Sequence, residues 1–265
     1  MAEPVRKPET APSEDPFRYG TRWRTIRLPN GETDIEEIPL TVEDLLNPQL
    51  GDHVTQSRQH VQWFLRLGYL LERYYESCED VLVCADMQII WGIPGLQNPS
   101  PDVAIVQGVR DKEADRPSFD VVQEGVGPSL VVELVSSKYE EVRENDYVKK
   151  VKIYERAGVP EYVILDLPCP RTQNRLLLTA YRLGPNRRYR RIQPDAEGRL
   201  LSETTGLLFG VENDGTTLSL IDTRTGESPL ELPEERARRA AEERAAQAET
   251  ELTRLRAELE RLKKQ

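Results

Sequence analysis

No apolar run in this sequence approaches the roughly 18 to 20 residues needed to cross a bilayer, and the opening MAEPVRKPETAPSEDP contains no apolar stretch of the kind a signal peptide carries. These absences point to a cytoplasmic protein without a membrane span. Cysteine is scarce: Cys78, Cys84 and Cys169 form no CxxC pair and leave an odd count, which argues against a disulfide scaffold and a zinc ribbon. Histidine is scarcer still, and His53 and His60 lack the partners of a His-rich metal site. The formal net charge of −10 leaves no basic surplus for indiscriminate coating of DNA.

What remains suits one domain with polar appendages, because a 38% hydrophobic fraction can bury a single good core while a 31% charged fraction must stay wet. Residues 1–18, with Pro4, Pro8, Pro12 and Pro16 among charges, read as a flexible lead. Residues 19–232 read as the domain: a hairpin with helices over 19–78, a core over 79–170 and an antiparallel extension over 171–232. The hairpin is RWRTIRL, an Asn-Gly turn and TDIEEIPL, and Thr41 caps a short helix after it. Three- and four-residue apolar spacing predicts a long helix from Gln56 to Ser77. VLVCADMQIIW and PDVAIV read as strands, and LVVELVS, a helix to Ala157 and EYVILD make a β-α-β unit with parallel strands. LLLTAYRL, RYRRIQP, LLFGVENDG and TLSLIDT read as antiparallel strands added at the sheet edge. From Pro233 on, Ala241, Ala245, Ala248, Leu252, Leu255, Leu259 and Leu262 keep a heptad seam, so 233–265 is expected to form a self-associating coiled coil, with a solvated or back-folded helix as the alternative.

Chemistry concentrates between Pro101 and Asp166. Asp102 opens the run VAIV, and Glu133 sits inside LVVELVS; both strands are apolar at consecutive positions, as strands covered on both faces are. A carboxylate in such a strand is costly without a compensating partner, and a divalent cation is one. Asp102 and Glu133 are therefore candidate ligands for Mg²⁺ or Mn²⁺, with a main-chain carbonyl near Leu134 completing an oxygen set. A nearby lysine would orient or help deprotonate water and offset charge in a phosphoryl transition state. Along the helix that follows, Asp146, Lys150 and Tyr154 share one face at i, i+4, i+8. Asp146 and Lys150 also fit an ordinary solvated pair, and Tyr154 fits the core. Asp86 lies in a strand beside these residues as a further accessory candidate, while Asp166 ends its strand and is expected to lead a turn. Charge is uneven: Arg171 to Arg199 holds eight arginines against Asp195 and Glu197, while Val61 to Pro170 carries eleven basic and nineteen acidic residues. Arg187, Arg188, Arg190 and Arg191 thus form either a basic rim for a phosphate backbone or a solvated hairpin.

Taken together, Pro101-Asp102, Glu133 before Ser136-Ser137, the Asp146, Lys150, Tyr154 face and AGVPEYVILD resemble the Uma-type (Uma2, DUF820) proteins of the restriction-endonuclease-like PD-(D/E)xK nuclease superfamily, over roughly Leu40 to Asp222. The resemblance implies an α/β (α+β) sandwich with a central mixed sheet flanked by helices, Mg²⁺ dependence and DNA cleavage. One departure matters. The superfamily pattern places lysine two residues after the glutamate, where this chain has Val135, so the catalytic lysine is expected to have moved to Lys150, with Lys138, Lys149 and Lys152 as weaker candidates. The readings left open are a metal-dependent endodeoxyribonuclease working as a dimer, a nuclease on other nucleic acids, and an inactive oligomeric binding protein of the same fold.

Overall fold

The computed structural model describes residues 15–29, 31–46, 52–54, 57–136, 143–168, 174–212, 214–231 and 233–262; Lys138 and most of the proline-rich lead lie outside them. Strand β1 (Gly20–Arg27) pairs antiparallel with β2 (Thr33–Pro39) and with β3 (Asp52–Val54) in a small sheet. Helix α1 (Val42–Leu46) is capped as expected, the Asp44 amide donating to Thr41 Oγ1.

The long helix forms as α2, Arg58–Tyr74. Its start is set by Ser57, whose hydroxyl accepts from the His60 amide at 3.1 Å and so fixes His60 in the first turn. Gly68 costs helix stability, but an added Cβ there would come 3.2 Å from the Ala85 Cβ. Its absence lets α2 lie close against β4 (Val81–Ala85).

The centre is a six-stranded mixed sheet in which β4 is followed by β6 (Val103–Gln107), β8 (Pro128–Val135), β9 (Glu161–Asp166), β10 (Leu177–Leu183) and β11 (Tyr189–Arg191). Strands β6 (Val103–Gln107) and β8 (Pro128–Val135) are antiparallel neighbours, and β8 is parallel to β9 (Glu161–Asp166), as the β-α-β reading requires. Both faces of these strands are buried, which explains their unbroken apolar runs. Val103, Ile105, Leu130, Val132, Leu134, Val163 and Leu165 face α2 in one core. Ala104, Val106, Val131, Val135, Tyr162 and Ile164 face a second core. That second core is closed by Tyr154 on the helix Asn145–Ala157.

This helix departs from regular α geometry at its start. Asn145–Lys149 forms a π-turn, and α4 runs from Lys150 to Ala157, stopped by Gly158 at φ 84°. The short α3 (Val121–Glu124) precedes it in the chain, capped by Asp120.

Two strand expectations change. VLVCADMQIIW is not one strand: Asp86 adopts φ 50°, and its amide turns to the Pro101 and Asp102 carbonyls. The chain thereby leaves β4 and makes β5 (Ile89–Ile90), parallel to β7 (Phe119–Asp120). Of the later strands, only β10 (Leu177–Leu183) and β11 (Tyr189–Arg191) extend the central sheet. Strands β12 (Leu200–Leu201), β13 (Leu207–Val211) and β14 (Leu218–Asp222) form their own sheet, because Leu207, Phe209, Leu218 and Leu220 cover the α2 side of the core.

Glu161 ties the two sheets together. Buried at the start of β9, it accepts from Arg182 Nε at 2.7 Å, Ser202 Oγ at 2.5 Å and Thr204 Oγ1 at 2.7 Å. Helix α5 (Pro233–Leu262) leaves the domain, with Ala241, Ala245, Ala248 and Leu252 exposed. Among the described residues no helix is long and apolar enough to cross a membrane.

Candidate active site

Asp102 stands one residue before β6. Because Val103 pairs with Val132 in the antiparallel register, Asp102 falls opposite Glu133 of β8. The Leu134 amide donates to Asp102 Oδ2 at 2.6 Å, and the Asp102 amide lies 3.5 Å from Glu133 Oε2. Strand pairing therefore fixes the two carboxylates side by side. Glu133 shares its face of β8 with Val131 and Val135 and so points into the second core, where only 1% of it is exposed.

Its compensation comes from the helix. Lys150 Nζ sits 2.8 Å from Glu133 Oε2 and 2.9 Å from Asp146 Oδ1. The Tyr154 hydroxyl donates to Glu133 Oε1 at 2.6 Å. The face shared by Asp146, Lys150 and Tyr154 is thus the face laid on Glu133, and the solvated-pair alternative for Asp146 and Lys150 does not hold. Asp146 Oδ1 is close to the ammonium yet lacks hydrogen-bond alignment with any donor among the described residues.

His60, to which the sequence assigned no role, joins the site: Nε2 lies 3.2 Å from Asp102 Oδ1, and the ring also hydrogen-bonds the Leu134 backbone. Its signal was local: Ser57 three residues earlier marks a helix start, and His60 continues the core-facing stripe of Phe64, Leu67 and Leu71. Asp86 reaches the Asp102 carbonyl only through its backbone amide. Asp166 ends β9 as expected, and the residues of the turn it was expected to lead lie partly outside the described ones. Fully buried, it receives Arg143 through two guanidinium nitrogens and the Tyr147 hydroxyl at 3.0 Å.

Electrostatics separates the carboxyls. Burial pushes Glu133 up to about 8, with Asp102 and Asp146 adding to the rise and Lys150 opposing it. Burial also raises Asp146 against the pull of Lys150. Burial would raise Asp102 as well, but its hydrogen bond to His60 and the charges of His60 and Lys150 hold it below the ordinary carboxylate value. For Lys150 burial favours the neutral amine, and the three surrounding carboxylates overcome it, holding the ammonium charged. His60 is raised in the same way, burial being outweighed by Asp102. Asp86 is pushed up by partial burial and by Asp102.

The donor set is one of hard oxygens, which suits Mg²⁺ or Mn²⁺, and the unaligned Asp146 Oδ1 is a carboxylate oxygen with bonding capacity in reserve. As placed, however, the carboxylates converge on Lys150 Nζ. Among the described residues no three His, Cys, Asp or Glu side chains are gathered closely enough to hold an ion as they stand, so an ion entering at Glu133 has to displace the ammonium.

The arginine hairpin is not part of this cluster. Arg188 pairs with Glu155 at 2.8 Å, and Arg187, at φ 55°, lies over Gly158 at the far end of α4, about 12 Å along the helix from Lys150. Arg191 leans on Thr179 Oγ1, and Arg190 lies by Gly184. Lys149 pairs with Glu43 at 3.8 Å, away from Glu133.

A family model named Uma2, described as "Putative restriction endonuclease", matches residues 45–220, an interval that contains every residue of the cluster. The chain belongs to the Uma2 family. No curated protein matches the chain. A crystal structure described as a putative nuclease belonging to DUF820, from Anabaena variabilis ATCC 29413, is 14% identical, covers 60% of this chain and 87% of its own, and superposes with a TM-score of 0.38. The Uma2 interval runs from the end of α1 into β14 and includes both Asp102 and Glu133.

Proposed function

We propose that this Uma2 protein is a Mg²⁺-dependent endonuclease that hydrolyses phosphodiester bonds of DNA at the Asp102–Glu133 pair. The observation that carries the proposal is Glu133 itself: a buried strand carboxylate, opposite a second carboxylate, with a lysine 2.8 Å away. A structural acid needs only a counter-charge, as Glu161 has in Arg182; a second carboxylate held opposite it adds repulsion that a metal site uses and folding alone does not call for. Asp102 and Glu133 would hold the ion, with Asp146 Oδ1 at hand and the Leu134 carbonyl available if His60 yields it. The ion would supply Lewis-acid stabilisation of the phosphate and of the attacking water. Lys150 would orient that water and offset negative charge in the transition state. Tyr154 holds the Glu133 carboxylate in place through its hydroxyl, and His60 fixes Asp102. Arg187, Arg188, Arg190 and Arg191 meet a duplex that extends past the site along α4.

A second copy of the chain docks through α5, supported by the exposed heptad positions Ala241, Ala245, Ala248 and Leu252. Two sites then act on one duplex.

One observation favours an inactive binding protein of the same fold. Lys150 is already neutralised by Glu133 and Asp146, and Val135 occupies the strand position where the superfamily carries lysine. Calorimetric titration of Mn²⁺ or Mg²⁺ into wild type and Asp102→Ala/Glu133→Ala, with plasmid nicking in parallel, separates the two. Site-dependent ion binding with nicking lost in the variant supports the nuclease. Identical weak traces and no nicking by wild type favour the binding protein.

A further inference from the structure

Beside the lysine cluster stands a second, parallel row. Arg143, Asp146 or Tyr147, and Lys150 follow one another at helical spacing, so the helix that lays Lys150 on Glu133 also lays Arg143 on Asp166. Asp166 is the register partner of Val135 across the parallel pair β8–β9. Side chains of paired residues share a face, so the Arg143–Asp166 pair flanks the strand position from which lysine is missing. Val135 is two residues from Glu133, about 6.6 Å along the strand.

The pair is firmly built. Asp166 is fully buried and grips the guanidinium at both nitrogens, the Tyr147 hydroxyl adds a third hydrogen bond to it at 3.0 Å, and the guanidinium lies 5.8 Å from the Tyr147 ring centroid. Such anchoring holds the guanidinium plane in place, with little entropy left to lose on meeting an oxyanion. The Arg143 side chain remains 22% exposed.

We propose that Arg143 binds a backbone phosphate of the nucleic-acid strand, the one next to the phosphate taken at Asp102 and Glu133, and that Asp166 and Tyr147 are its positioning residues. Arg143 thereby supplies a cation beside the place of the absent strand lysine, while Lys150 serves the attacked phosphate. This rests on the nuclease proposal above and names the contact that sets substrate register.

The test uses the full chain, a DNA duplex and Mg²⁺, with KM, kcat and the salt dependence of binding as readouts. Arg143→Met alone leaves a buried carboxylate uncompensated, so the informative variant is Arg143→Met/Asp166→Leu, which replaces the ion pair by apolar groups of similar size. Expected are a KM raised about tenfold or more with kcat changed far less, and a salt slope smaller by about one phosphate contact. Arg143→Lys keeps the charge without the guanidinium plane and should retain the slope with a smaller rise in KM; it also serves if the double variant does not fold. Wild-type KM and slope in a folded double variant, or a KM in Arg143→Lys equal to wild type, overturn the assignment while leaving the nuclease proposal intact. Failure of wild type to bind or cleave DNA overturns both.

Discussion

Replacing Lys150 by Met tests whether the ammonium stands where a divalent ion belongs. Lys150 lies 2.8 Å from Glu133 and 2.9 Å from Asp146, with its side chain only 17% exposed. At an effective dielectric constant of 20 each contact is worth about 6 kcal/mol in gross attraction. Desolvation of the buried charges consumes most of that, but above about pH 8, where Glu133 is ionised, deleting the cation alone leaves the two acids uncompensated. The expected net loss there is about 3–5 kcal/mol. For a domain of this size that corresponds to a melting temperature lower by roughly 6–20 °C. The thioether of Met keeps the packing of the stem, so the loss reports charge rather than a cavity. Mg²⁺ should then act in opposite senses on stability and chemistry. In the variant the ion enters without displacing an ammonium, and at a hundredfold its Kd it returns about 2.7 kcal/mol. The Mg²⁺-induced rise in melting temperature should therefore exceed that of wild type, while cleavage is lost. Thermal melts in chelator and in Mg²⁺, with nicking assays on the same samples, decide the matter. A Mg²⁺ rise no greater than in wild type, or cleavage surviving in the variant, refutes the idea that Lys150 and the ion compete for one place.

Removing the His60 imidazole by His60→Ala leaves Asp102 held only by the Leu134 amide; Mn²⁺ affinity by calorimetry should fall about 10- to 100-fold, and unchanged affinity would show that His60 does not orient Asp102. Glu161 lies below the ordinary carboxylate value because, against the cost of burial, hydrogen bonds from Ser202, Thr204 and Arg182 favour its charge. A depressed pKa gives stability that is present above the unfolded value, about 4.3, and lost as pH falls through the folded one. Glu161→Gln should accordingly cost about 2–3 kcal/mol at pH 7, and its deficit in urea melts should shrink as pH drops below 4; a constant deficit contradicts the assignment. Deleting 233–265 should convert an oligomer to a monomer in light scattering without changing the melting of the remaining domain, and an unchanged mass rules out α5 as the contact.

The sequence made the central strands legible because burial on both faces leaves an uninterrupted apolar run, in which one glutamate at 133 has no ordinary explanation. The face of Asp146, Lys150 and Tyr154 was legible for a related reason: spacing along one helix needs no tertiary knowledge, even with the π-turn at its start. What stayed hidden depended on partners distant in sequence. His60 reads as a helix residue until α2 is packed against the sheet, close enough through Gly68 to bring imidazole to Asp102. Asp166 reads as a strand end until Arg143 folds over it. The break at Asp86 was masked by apolar residues on either side, since the periodicity of VLVCADMQII does not encode a left-handed backbone.

The vacant lysine position is where local pattern and tertiary chemistry part most clearly. Strand position 135 points to the same face as Glu133 but is 1% exposed, beside the buried Asp166 that pairs with it across β8–β9. A lysine there would have to share that space with the Arg143–Asp166 pair and the Tyr147 hydroxyl. The helix offers another approach, and Lys150 delivers its ammonium to Glu133 Oε2 from above the sheet while Tyr154, one turn on, holds the other oxygen of the same carboxylate. A motif records where a Cα begins, whereas electrostatics responds only to where the charge ends. A strand lysine and a helix lysine whose ammonium groups reach one carboxylate are therefore equivalent to the phosphate, and the ion pair already built beside position 135 decides which of them the fold can hold.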